Sequence, residues 1–168
     1  MSAPLGQKWL MLFNLGRVSQ LYFEQSIPAS VDDVWEFISS PKNLKLITPP
    51  YMNFEITSKD LPEKMYQGMI IVYRVSPLPF FRVQWVTEIT VVKEKEYFVD
   101  EQKSGPYSFW HHQHFLLKTK EGVLMKDIVS YKPPFGFLGE IANSLFIKKN
   151  ILRIFSFRKS ALEKIFSN

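Results

Sequence analysis

Between Tyr51 and Lys132 the apolar residues recur at every second position, and turn signals interrupt that alternation so often that only antiparallel neighbours fit. The segments are Asn53 to Ser58, Met69 to Val75, Phe81 to Val92, Tyr97 to Lys103, Ser108 to Lys118, and Val123 to Lys132. Gly68, the Pro77 and Pro79 region, Lys93-Glu94-Lys95-Glu96, Gly105-Pro106 and Glu121-Gly122 separate them. Parallel strands need crossovers of roughly a dozen residues or more, and these gaps are too short for that.

The flanking segments read differently. Ser19 to Ile27 alternates as a strand and Pro28 ends it, because a proline donates nothing to a ladder. Ser30 suits a helix N-cap, with Asp32 and Asp33 in the first turn and Val31, Val34, Trp35 and Ile38 at helical spacing. Pro41 opens a second short helix through Ile47, and Thr48-Pro49-Pro50 breaks it. Pro133, Pro134 and Gly136 close the strand region. A long helix follows from Phe137 to Phe166, with Leu138, Ile141, Leu145, Leu152, Phe155 and Leu162 on one stripe.

The fold class is therefore α+β. A curved antiparallel sheet of six to seven strands surrounds a long C-terminal helix, with two short helices after strand 1. A sheet must bury one face, and the long helix is the element large enough to cover it. A strongly curved sheet gripping one helix leaves a space between them, suited to an apolar ligand.

Composition narrows the function. The chain has 168 residues, 46% hydrophobic, with 15 Phe, 7 Tyr and 4 Trp, which suits one domain with one core. It contains no cysteine, so disulfides, thiolate metal sites and a cysteine nucleophile are excluded. That fits a reducing compartment, and a cytoplasmic location is expected. No apolar run approaches the ~20 residues of a membrane-spanning helix. The apolar stretch Trp9 to Phe13 is too short for a signal-peptide core, so residues 1–18 read as an N-terminal extension to a single domain over 19–168.

The net charge is +5, and its densest cluster is Lys148, Lys149, Arg153, Arg158, Lys159 and Lys164. That spread reads as a solvated helix face, Arg158 included as a surface salt-bridge partner, and not as a nucleic-acid surface. Neither phosphate loop, nucleophile elbow, metalloprotease pattern nor dinucleotide fingerprint occurs, and no cofactor is expected.

Several local segments carry a resemblance. Ile27-Pro28-Ala29-Ser30, Val34-Trp35, Asn43-Leu44 and Ile47-Thr48-Pro49-Pro50 come first. Trp85 to Ile89, Phe98 to Gln102, and Gly105-Pro106-Tyr107 with Trp110, His112, His114 and Phe115 come next. Met125, Asp127, Tyr131, Pro133, Gly136, Ile154-Phe155 and Arg158 complete the set. With the element order, these make residues 19 to 166 resemble the START/pollen-allergen-like (SRPBCC) superfamily, and in particular a bacterial group of cyclase/dehydrase-like ligand-binding proteins. The resemblance implies a helix-grip fold around a ligand cavity.

Strand parity selects candidate residues. Val123, Met125, Asp127, Val129 and Tyr131 share the face read as inward, which sets an acid among apolar neighbours. On Ser108 to Lys118, periodicity leaves two faces open: Trp110, His112, His114 and Leu116, or Phe109, His111, Gln113 and Phe115. The resemblance implies the first face, and by the same argument Phe98, Asp100 and Gln102 point inward.

The candidate ligand-binding residues are thus Trp85, Phe98, Gln102, Trp110, His112, His114, Met125, Asp127, Tyr131 and Phe155. Three readings of the polar members compete. Histidine and aspartate pair because buried polar groups need partners. Alternatively they orient a ligand's carbonyl or hydroxyl. Or they perform chemistry: His112 and His114 as metal ligands completed by a carboxylate, or as acid/base with Asp127 or Asp100 orienting.

The function read from this is the binding, as carrier or sensor, of a small hydrophobic, lipid-like or aromatic molecule. The alternatives are a polyketide cyclase/dehydratase-like enzyme, and a membrane- or partner-interaction protein using the N-terminal extension or the basic helix. Nothing in the chain speaks to oligomeric state.

Overall fold

The structure, a computed structural model, describes residues 18–78, 81–135, 139 and 142–167. Residues 1–17 of the expected extension, together with Pro79, Gly136, Phe137, Leu138 and Ile141, lie outside the described residues.

Strand β1 (Ser19–Ile27) is followed by helix α1 (Val31–Ile38) and two 3-10 segments, Pro41–Ile47 and Pro50–Met52. Then come β2 (Glu55–Ile56), β3 (Ile70–Leu78), β4 (Phe81–Lys93), β5 (Tyr97–Ser104), β6 (Phe109–Thr119) and β7 (Gly122–Lys132). A π-helical turn (Asn143–Ile147) leads into the long helix α2 (Lys148–Phe166). The sheet has seven strands in the order β1-β7-β6-β5-β4-β3-β2, and every pairing is antiparallel. Because β1 and β2 lie at opposite edges, residues 28–54 must cross from one edge to the other, carrying α1 and both 3-10 segments with them.

Local chemistry explains these elements. Ser30 Oγ accepts from the Asp33 amide at 3.1 Å, capping α1, and Asp32 and Asp33 occupy its first turn. Strand β7 alternates between buried and half-buried residues along its whole length, so its period-two pattern is the burial pattern. Helix α2 buries Ile151, Phe155 and Leu162, and the Phe155 ring stacks on Phe23 of β1 at 3.9 Å.

Two expectations need correction, and one is met in a more specific form. The strand expected over Asn53 to Ser58 is only Glu55–Ile56. Asn53 adopts a positive φ, and Thr57 and Ser58 both donate to Val72 O instead of continuing the ladder. The second short helix is 3-10. The stripe expected to carry Leu145 inward breaks at the π-helical turn, which adds a residue to one turn and rotates the faces; Leu145 is 51% exposed and Ile151 takes an inward place.

The β6–β7 hairpin depends on Gly122. Its φ is +138°, and a Cβ there would lie 2.2 Å from Ile27 O at the end of β1. Gly122→Ala is expected to lower unfolding free energy by about 2 to 4 kcal/mol, read from the urea midpoint. An unchanged midpoint would contradict this account of the turn.

Candidate functional site

The curved sheet, α2 and the crossing segment bound a half-open cavity of ≈ 160 Å³. Trp85, Phe98, Trp110, Met125 and Phe155 line it, as do Ile47 and Met52 from the crossing segment. Strands β3 to β6 contribute residues two apart, as with Trp85, Thr87 and Ile89 from β4, and Trp110, His112 and His114 from β6. The face left open by periodicity on β6 is thereby settled, for His112 and His114 are buried and His111 stays half-buried, paired with Glu101 at 2.9 Å.

A cluster of ionisable groups forms part of this lining. The register sets His112 beside Asp100 and His114 beside Asp127 on adjacent strands. The well-aligned hydrogen bonds run diagonally: His112 Nε2 to Asp127 Oδ1 and His114 Nε2 to Asp100 Oδ2, both 2.9 Å. The remaining ring nitrogens are also close to carboxylates. His112 Nδ1 lies 3.3 Å from Asp100 Oδ2, and His114 Nδ1 lies 2.8 Å from Asp127 Oδ1 but out of line for a hydrogen bond. The imidazoles lie with centroids 3.7 Å apart, and Phe98 stacks on His114 at 3.9 Å. From α2, Arg158 Nη1 approaches Asp127 Oδ1 at 3.5 Å.

Burial raises the cost of charge here, and the neighbours outweigh it. Burial pushes the Asp100 and Asp127 carboxyls up, but the two imidazoles hold both well below the usual carboxylate range. Burial pulls His112 down, but Asp100 and Asp127 raise it above the ordinary imidazole value. Tyr73, hydrogen-bonded to Thr87 Oγ1 at 2.9 Å, is pushed far up by burial and stays a neutral phenol. The Asp100 side chain keeps 17% exposure although protein surrounds it, and that exposure opens onto the cavity. Four buried polar atoms lack a hydrogen-bond partner among the described residues: Ser39 Oγ, Trp85 Nε1, His114 Nδ1 and Arg158 Nε. All four belong to cavity-lining residues.

The expected site residues divide accordingly. Trp85, Phe98, Trp110, His112, His114, Met125 and Phe155 line the cavity, and Asp127 lies directly behind the histidines. Gln102 does not reach the cavity: its amide bonds both the N–H and the C=O of Tyr107, folding the turn over Gly105. Tyr131 is buried beneath α2 and donates to Asn143 Oδ1 at 2.9 Å, anchoring the π-helical turn. Arg158, read as a surface salt-bridge residue, instead turns inward and is 13% exposed. Its position three residues after Phe155 and four before Leu162 was a usable signal, since helix positions at those spacings share a face. Tyr73 and Thr87 were also missed, although Thr87 shares the parity of Trp85. Asp100, His112 and His114 are the group whose ligand atoms, all within 4.8 Å of one another, could hold a metal ion.

Comparison with solved structures places the chain among helix-grip proteins. The Thermus thermophilus protein TTHA0849 superposes with TM-score 0.62 at 16% identity, covering 86% of this chain and 94% of that one. Major latex-like protein 151 of Panax ginseng gives TM-score 0.65 at 14% identity, covering 90% and 99%. Norcoclaurine synthase of Thalictrum flavum, solved with a transition-state analogue, gives 0.61 at 15% identity, covering 92% and 98%. No protein-family model matches the sequence, and no curated protein matches it. At these identities the likeness is one of fold, and it is the helix-grip fold that the sequence resemblance implied. Among the described residues no helix is long and apolar enough to cross a membrane.

The cluster predicts a stability optimum on the acid side of neutrality. His112 is raised above 6.5, so its contribution is complete below that value and is lost as pH climbs through the raised one. Asp100 and Asp127 are lowered below 3.8, so their contribution is present above that value and lost as pH falls. His114, on the same strand, and Arg158 face the same carboxylates. The melting temperature of metal-free protein is expected to peak between about pH 4 and about pH 6.5. His112→Gln should flatten the decline on the alkaline side; a decline as steep as in the wild type would sink this assignment.

Proposed function

We propose that the protein binds a small apolar, ring-containing molecule in its internal cavity and serves as a cytoplasmic carrier or sensor for it. The observation that carries this reading is a cavity of ≈ 160 Å³ walled mostly by aromatic and aliphatic side chains, with Asp100, His112 and His114 among its lining. An apolar cavity of about 150 Å³ accommodates a benzene-sized guest. The volume therefore favours a single-ring or compact bicyclic ligand over a long-chain lipid, most of which would lie outside it. Asp100, His112 and His114 in the lining give such a ligand's polar group a partner and hence one orientation.

A panel of toluene, benzaldehyde, indole, naphthalene and decanoate, read by thermal shift and Trp fluorescence, tests the proposal. At a concentration of about one hundred times Kd, a bound ring should raise the melting temperature by roughly 5 to 10 °C. Met125→Trp, which fills the space, should abolish the shift. Failure of every ring to shift the midpoint would remove the reading.

A second reading is an acid/base enzyme of cyclase or dehydratase type. It is favoured by one observation: His112 and His114, each hydrogen-bonded to a carboxylate, line the same apolar space. His112 or His114 would transfer the proton, and Asp127 or Asp100 would hold the imidazole. Conversion of a panel compound, followed by mass spectrometry and lost in His114→Gln while binding persists, would favour the enzyme over the carrier.

A further inference from the structure

Each of the two buried imidazoles has both ring nitrogens facing carboxylate oxygens. A neutral imidazole carries one N–H, so each ring would then direct a lone pair at an anion. Two extra protons relieve that conflict, and so does one divalent cation, which brings the same two positive charges.

The cluster has the arrangement that the cation needs. His112 Nδ1 and His114 Nε2 converge on Asp100 Oδ2 from 3.3 and 2.9 Å. Donor atoms around one ion with bonds of about 2.1 Å lie roughly 3.0 to 3.4 Å apart, so these separations match the edges of a coordination polyhedron. The Asp100 side chain lines the cavity and keeps 17% exposure, so it is not locked in a fully packed setting. Behind the rings, Asp127 Oδ1 lies 2.9 Å from His112 Nε2 and 2.8 Å from His114 Nδ1, the latter without a hydrogen bond at present. A carboxylate behind a ligating histidine is the usual means of fixing its tautomer and orientation. Arg158 holds Asp127 from α2.

The geometry points to a binding site for one divalent first-row transition-metal ion, of the Zn²⁺ or Fe²⁺ class, held by Asp100, His112 and His114. Two nitrogens and one oxygen suit such ions better than Mg²⁺ or Ca²⁺, which favour oxygen alone. The remaining coordination positions face the apolar cavity, where an oxygen of a bound molecule reaches the metal. Asp127 is a positioning residue for both histidines. The site does not require the organic ligand proposed above, and it is tested without one.

The probe is Co²⁺ added to the full-length, metal-stripped chain, with Zn²⁺ as competitor. The expected result is one saturable Co²⁺ per chain by visible absorption, displaced by Zn²⁺, with large contact shifts at the ring resonances of His112 and His114 and only small through-space shifts at His111. His112→Ala and His114→Ala should lose saturable binding and His111→Ala should keep it. Asp127→Asn should weaken affinity about 10- to 100-fold. The wild-type resonance shifts decide the matter even if a variant does not fold. Shifts confined to His111 overturn the proposal. So does the absence of saturable binding at both neutral and alkaline pH, which would mean that protons alone satisfy the rings. Neither outcome touches the cavity reading, which the organic panel measures separately.

Discussion

The constraint on which the site depends is the placement of two buried imidazoles on β6 between two carboxylates, one on β5 and one on β7. Charge in a protein interior costs several kcal/mol per ion unless each group is paired with good geometry. Here the antiparallel register supplies the pairing. His112 stands opposite Asp100 and His114 opposite Asp127, so the four groups project from one face on two neighbouring rungs and meet along the diagonals. A slip of one residue in either pairing would turn the members to opposite faces and leave buried charges alone. The cluster thus acts on register as well as on chemistry, and Arg158 ties it to α2.

The cavity follows from the same arrangement. Large aromatic side chains wall it and do not fill it: Trp85 and Trp110 meet edge to face at 5.2 Å, and Phe98 lies flat against His114. Rings held against one another in this way leave space that flexible side chains would have closed. The unpartnered polar atoms of Ser39, Trp85, His114 and Arg158 gather around that space. Buried polar groups without partners cost on the order of 1–3 kcal/mol each.

The helix-grip fold serves proteins of different function, so the fold alone does not choose between carrier and catalyst. The choice lies in the site, where a compact apolar volume meets a charged cluster built from His112, His114, Asp100 and Asp127. A carrier needs that cluster only to orient its guest. An enzyme needs it to move a proton. The metal site would add a third use for the same atoms, namely to coordinate a guest's oxygen.

The sequence by itself determined the strands, their antiparallel sense and the inward parity of β7, because a period of two in apolar residues is a direct print of one buried face. Ser30 and its two aspartates likewise declared α1, since capping is local. Resemblance, not periodicity, had to choose the face of β6, because both faces carry aromatic and polar residues alike. Tertiary structure alone decided what depends on distance between elements. The π-helical turn rotated Leu145 outward, Gln102 was taken by the Tyr107 backbone, and Tyr131 went to Asn143. Arg158 turned in because Asp127 waits on a strand 31 residues earlier. Alternation can say that an aspartate points inward; only the packed sheet and helix can say which cation it meets there, and how much room is left beside it.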